Sequence, residues 1–164
     1  MKTLLIVHHS MTGGTRQMAQ AAAAGAEATA SEIQVRLLRA IDAGPEDLLW
    51  ADGYVFATPE NLAAVSGLMK DFFDRTYYAA LDRINGRPYA ILICAGSDGR
   101  NAARQIERIA TGWRLKAIAE PLIVCTHAQT REEILRTKQI PPEELRRCEE
   151  LGAAIAAGLS LGVF

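Results

Sequence analysis

Short apolar runs alternate with helical patterns along the chain. Thr3 to His9 (TLLIVHH) is apolar and strand-like, and an Ala-rich helix from about Thr15 to Ala30 follows it. Glu32 to Leu38 (EIQVRLL) alternates polar and apolar positions, as a half-exposed edge strand does. Gly44-Pro45 introduces a helical turn over Glu46 to Trp50, and Gly53 to Thr58 (GYVFAT) predicts a buried strand that stops at Pro59. Ser66 to Arg75 puts Leu68, Met69, Phe72 and Phe73 on one helical face, a pattern that extends towards Tyr77-Tyr78 before the Asn85-Gly86 turn. Tyr89 to Cys94 (YAILIC) is a fourth strand. A helix follows from about Asn101 to Trp113, with Ile106, Ile109 and Ala110 spaced to pack inward. Leu122 to Cys125 is a fifth strand, and Pro142 to Gly158 a closing helix that starts at Pro141-Pro142. Between them Thr126 to Pro141 is a polar connection with a helical turn at Arg131 to Thr137.

Five β-α alternations call for a parallel sheet with helices on both faces. Right-handed crossovers restrict it to a few doubly wound orders. Ligands of such sheets bind beyond the carboxyl ends of the strands, where the strand order reverses. The loops after strands one, three and four are therefore the places to look. No repeat, low-complexity stretch or linker interrupts the pattern, so residues 1–164 are expected to form one domain.

Composition narrows the partners. With 18 Lys+Arg against 19 Asp+Glu the chain is near neutral, which gives no electrostatic case for nucleic acid or an anionic membrane. The apolar run near the N-terminus is too short for a signal-peptide core, and no segment approaches a membrane span. Three widely spaced cysteines, Cys94, Cys125 and Cys148, suggest neither a disulfide framework nor a zinc cluster, and fit a cytoplasmic location.

The first loop, Ser10-Met11-Thr12-Gly13-Gly14-Thr15, carries three hydroxyls, two glycines and no lysine. Glycines let an anion approach the backbone, and the helix that follows offers unpaired N–H groups. Without the Gly-Lys-Ser/Thr ending of a P-loop, transfer of a nucleotide γ-phosphate is not indicated; without G-x-G-x-x-G, neither is a dinucleotide fingerprint. The loop suits a phosphate monoester held by neutral donors, or is simply a strand-to-helix turn with Thr15 as N-cap. The second loop, Thr58-Pro59-Glu60-Asn61-Leu62, offers amides past the proline to a planar ligand, or is an ordinary, rather long βα loop. The third, Ala95-Gly96-Ser97-Asp98-Gly99, leaves room for a ligand against its backbone, or is a turn capped by Asp98.

Together these residues resemble a family. Ser10, Thr12, Gly13 and Thr15 match the [ST]-x-[TY]-G-x-T phosphate loop of flavodoxins and flavodoxin-like reductases. Thr58 to Arg75 is similar to the segment after strand three of NAD(P)H-dependent FMN reductases and flavin-dependent quinone reductases. There the pattern S-G-x-[ML]-K-x-F-x-D is matched by Ser66, Gly67, Met69, Lys70, Phe72 and Asp74. CAGSDGR resembles their third flavin loop. The resemblance implies a flavodoxin-like three-layer α/β sandwich with a five-stranded parallel sheet of order 2-1-3-4-5. It also implies one noncovalent FMN. Ser10, Thr12, Gly13, Gly14 and Thr15 would hold its phosphate. Pro59, Glu60, Asn61 and Leu62 would flank the ring on one side, Ala95, Gly96, Ser97, Asp98 and Gly99 on the other, with Met11 beneath it.

Electron-carrier flavodoxins usually place an aromatic residue in each ring-flanking loop and are strongly acidic; this chain does neither. The implied function is therefore an FMN-dependent oxidoreductase that passes reducing equivalents from NAD(P)H to a small acceptor, a quinone or flavin, by a ping-pong mechanism. The alternative is an electron-transfer flavodoxin with a protein redox partner. The cofactor carries the chemistry, so no catalytic side chain and no metal ligand is assigned.

Other polar residues have plainer readings. His8 and His9 are consecutive, point to opposite faces of a strand and cannot share a metal. His127 stands at the flavin edge or merely in a polar loop, and Cys94 reads as a buried structural thiol. Tyr77 and Tyr78 could pack locally, cap the pocket or meet a homodimer partner. Arg100 and Arg104 could attract NADPH phosphates or be solvated, and Lys70–Asp74 is an i,i+4 surface pair.

Overall fold

The computed structural model describes all residues 1–164. Its strands are β1 (Lys2–His8), β2 (Ile33–Arg39), β3 (Gly53–Asn61), β4 (Ala64–Val65), β5 (Pro88–Ala95), β6 (Lys116–Ala117) and β7 (Leu122–Cys125). Its helices are α1 (Gly14–Thr29), α2 (Pro45–Trp50), α3 (Gly67–Ala80), α4 (Arg100–Gly112), α5 (Arg131–Leu135) and α6 (Pro142–Leu161).

The parallel sheet runs β2-β1-β3-β5. Beyond β5, the short β6 lies beside its start (Pro88 opposite Lys116) and β7 beside its end (Ala95 opposite Cys125). Those two pieces share the fifth position, so the five principal positions follow the 2-1-3-4-5 order. The alternating β2 is the edge, and the continuous apolar β1 lies buried between β2 and β3.

Alternate β1 residues feed two different cores. Leu5 and Val7 join an aromatic-rich layer under α2, α3 and α4, with Tyr54, Phe56, Phe72, Phe73 and Trp113. Leu4 and Ile6 face the other layer, where α1 and α6 bring mostly small residues, among them Ala19, Ala22, Ala26 and Ala156. Small residues let α1 and α6 pack closely, which fixes the position of α1 and of the loop that leads into it.

One expectation needs correcting. Pro59 does not end β3; the strand continues to Asn61, with Pro59 opposite Cys94 of β5. The Ala57 carbonyl accepts from the His9 N–H, so residue 57 presents its backbone to β1, and residue 59 faces the same side. By then β1 has ended, so the N–H that proline lacks has no partner to miss. The chain then turns back as the β3–β4 hairpin, with Glu60 opposite Val65 and Asn61 opposite Ala64. Its two-residue turn, Leu62 (φ 51°) and Ala63 (φ 60°), is left-handed at both positions, the backbone of a type I′ turn built without glycine.

Candidate functional site

At the end of β1 the chain leaves the sheet and tightens into a cradle. The Gly13 N–H donates to Ser10 Oγ (3.1 Å), and Gly13 takes the left-handed φ of 93° that lets α1 begin at Gly14. Glycine, not Thr15, is therefore the N-cap, and no side chain caps α1. The first-turn amides stand open at the positive end of a 16-residue helix. Thr15, one residue into that turn, is 1% exposed and its hydroxyl has no hydrogen-bond partner. Buried hydroxyls are rarely left unpaired, because the lost hydration is not returned. The donors Ser10, Thr12 and Thr15 with an open amide end fit a phosphate monoester. Arg16, which sequence reasoning passed over, lies against Gly13 and enters no ion pair.

The β3–β4 hairpin forms the next wall, and α4 pins it. The Glu60 carboxylate accepts from the N–H groups of Gly99 (2.9 Å) and Ala102 (3.1 Å), so it caps α4 and ties the second loop to the third. Gln105 accepts from the Val65 N–H, and Asn101 donates to the Ala63 carbonyl. Ser66 joins the hairpin base to His9, just past the end of β1, through Nδ1 (2.8 Å), and accepts from the Thr58 hydroxyl of β3 (3.1 Å). Asn61 reaches across to Met11, 3.3 Å from Nδ2 to Sδ. Removing the cap by Glu60→Ala is expected to lower stability by about 1 kcal/mol in urea denaturation, since two N–H groups and the helix end lose their acceptor.

A further wall comes from the connection after β7, expected to be polar with a helical turn at Arg131 to Thr137 but not to border the site. Its N–H groups at Thr126 and His127 donate to the carbonyls of Ala95 and Gly96, with His127 at φ 58°. The helix α5 follows, started by a capping box in which Thr130 and Glu133 satisfy each other's backbone. That T-x-x-E signature, followed by Ile134-Leu135, was the signal available in the sequence. The strap is then fastened to the cradle. The Lys138 N–H donates to the Thr12 carbonyl (2.9 Å), while Gln17 donates to the Lys138 carbonyl (2.7 Å) and accepts from the Ile140 N–H (3.0 Å).

Of the residues singled out in the sequence, Ser10, Met11, Thr12, Gly14, Thr15, Pro59, Glu60, Asn61, Ala95 and Gly96 line one cavity. Thr126, Ala128, Ile134, Leu135, Lys138 and Cys94 complete it. Gly13, Leu62, Ser97, Asp98 and Gly99 are not on its wall. Leu62 points wholly into solvent at the hairpin tip. Asp98 is exposed and pairs with Arg100 (2.6 Å), and Gly99 is spent on the Glu60 cap. No aromatic side chain faces the cavity. Cys94 is buried, and burial pushes its thiol up to about 11, so it stays protonated. Tyr77 stacks on Trp113 at 5.4 Å while Tyr78 lies exposed, and Lys70–Asp74 (2.6 Å) is a surface ion pair.

His8, 8% exposed, also has an unpartnered Nδ1. Burial foremost, then the charges of Arg16, His9 and Arg39, hold its pKa below 6.5; burial lowers that of His9 too. The unfolded chain therefore takes up protons first on acidification. Stability is expected to hold above pH 6.5 and to fall as pH drops from 6.5 through the folded-state values. Urea midpoints measured from pH 7.5 to 5 test this, and His8→Gln should flatten the slope.

The model of the NADPH-dependent FMN reductase family matches residues 40–130, more than half of the chain. The chain belongs to this family. The matched region of this family member holds the β3–β4 hairpin and the loop after β5, and ends just before α5. Among individual relatives, a flavodoxin of Aquifex aeolicus is 37% identical over 87 residues, covering 53% of this chain and 46% of its own. An NAD(P)H dehydrogenase (quinone) of Acidithiobacillus ferrooxidans is 34% identical over 96 residues, covering 46% and 48%. The chain thus spans about half the length of these curated relatives. In three dimensions an archaeal flavodoxin superposes with a TM-score of 0.78 at 19% identity, covering 96% of this chain and 99% of that one. The flavodoxin-like WrbA-like protein of Agrobacterium tumefaciens gives 0.73 at 18%, covering 98% and 99%. The fold is flavodoxin-like.

Proposed function

We propose that residues 1–164 act as one FMN-binding domain that passes reducing equivalents from NAD(P)H to a small acceptor, a quinone or flavin, in a ping-pong exchange. The buried, unpartnered Thr15 hydroxyl at the open end of α1 carries this reading: it is a donor built for an anion that the protein itself does not supply. The amides of the first turn of α1, with the hydroxyls of Ser10, Thr12 and Thr15, hold the FMN phosphate. Of the two ring-flanking loops, Pro59, Glu60 and Asn61 with Ala95 and Gly96 lie along the ring, and Met11 sits beneath it. Bound there, FMN would accept hydride from the nicotinamide and release it to the second substrate. Because Glu60 locks the hairpin to α4, the ring-side walls hold one position through both half-reactions.

With no aromatic side chain on the cavity wall, a second planar molecule can reach the ring, which suits a small-molecule acceptor. A carrier that serves a protein partner is the second reading, favoured by the likeness to the A. aeolicus flavodoxin. Stopped-flow mixing of the FMN-loaded protein with NADPH and with NADH separates the two. Rapid loss of the oxidised flavin absorbance without any acceptor present is expected of the reductase. No reaction with either nucleotide would sink that reading in favour of the carrier.

A further inference from the structure

The helix α5 buries none of its own residues. Its two large apolar side chains, Ile134 and Leu135, are 51% and 59% exposed, yet both line the same cavity as Ser10, Thr12 and Thr15. A five-residue helix does not persist on propensity, and this one is fixed at both ends by other means. The Thr130–Glu133 capping box closes its start. Lys138 Nζ closes its end, donating to the carbonyls of Glu133, Ile134 and Arg136 at 2.7–2.8 Å. The strap behind it is bonded to the cradle through Thr12 and Gln17. An apolar pair is thus held rigidly over an anion site, with nothing in the chain to cover it.

We propose that Ile134 and Leu135 of α5 form an aliphatic cover for the isoalloxazine of an FMN whose phosphate lies in the Ser10–Thr15 cradle; this rests on the FMN reading above. The occupant follows from continuity. One cavity is lined both by the anion donors and by this apolar pair, so the ligand carries a phosphate and a broad apolar surface in one molecule. No aromatic side chain shares that cavity, and Met11 is the other large flexible apolar side chain on its wall. Without an aromatic donor stacked on it, the bound flavin keeps its fluorescence.

The test compares the full chain with the double variant Ile134→Ser/Leu135→Ser, using FMN and inorganic phosphate as probes. Both side chains are half exposed, so the variant keeps its fold, and the conservative pair Ile134→Leu/Leu135→Ile serves as a second variant. FMN affinity is expected to fall about 10- to 100-fold in the serine variant, the loss of two partly buried aliphatic side chains, and to stay within about threefold in the conservative one. Iodide should quench bound FMN more strongly in the serine variant, while phosphate raises Tm equally in every form. Unchanged FMN affinity and unchanged iodide protection would overturn the cover and leave FMN binding standing. Loss of the phosphate response together with FMN would overturn it too, since α5 would then act through the cradle. If the unaltered chain takes phosphate but no FMN, the cover falls along with the FMN reading itself.

Discussion

Thr15→Val is expected to stabilise the ligand-free protein and weaken its hold on FMN. The two effects have one cause. In the ligand-free chain the Thr15 hydroxyl is dehydrated and unpaired, so replacing it with a methyl group of similar shape removes a penalty of about 1 kcal/mol or more. With a phosphate in the cradle the same hydroxyl donates to an ionised oxygen, and hydrogen bonds to charged groups contribute about 1.5–3 kcal/mol, or roughly 10- to 100-fold in affinity. Urea denaturation of the ligand-free protein and a titration with FMN measure the two sides separately. Riboflavin, which lacks the phosphate, should bind both forms alike. A valine variant that is less stable without ligand would mean that the hydroxyl already has a partner, and the argument for a preformed phosphate site would fail.

How far this could be read from the sequence depends on the distance over which each feature is determined. Strands β1 and β5 are buried on both faces, so they stand out as unbroken apolar runs, and β2 shows its edge position by alternation. The cradle was legible because its chemistry lies within six consecutive residues. The strand that continues past Pro59 was not, because the proline is tolerated only where β1 has already ended, and that register is a property of the whole sheet. Glu60 was read as a ring contact. Its tie to α4 spans 39 residues to Gly99 and could not be seen locally. The helical turn at Arg131 to Thr137 was expected and α5 forms there, but what its Ile-Leu pair faces is decided by Gln17 and Thr12, more than a hundred residues away. The unpaired state of Thr15, on which the functional reading turns, is a matter of burial and so belongs to the fold.

Gly152→Ala is expected to cost about 2 kcal/mol or more, although the same exchange inside a helix ordinarily gains up to about 1 kcal/mol from propensity. The sign is decided by what a methyl group would meet. On Gly152 of α6 it would overlap the carbonyl group of Ala22 in α1, and on Gly25 of α1 it would overlap the carbonyl of Glu149 in α6. Each helix thus presents a glycine to the other's backbone. Backbone cannot swing aside as a side-chain end can, so the two helices must part and lose contacts along the alanine-rich face that both bury. Gly67, the exposed first residue of α3, has open space where its methyl group would go. There Gly67→Ala should raise the urea midpoint slightly, and Gly152→Ala should lower it. Because α1 begins at the cradle, the helix displaced by Gly152→Ala also carries Thr15, so FMN affinity should fall with stability in that variant. A Gly152→Ala protein as stable as the parent would mean that α1 and α6 stand further apart than their facing glycines require.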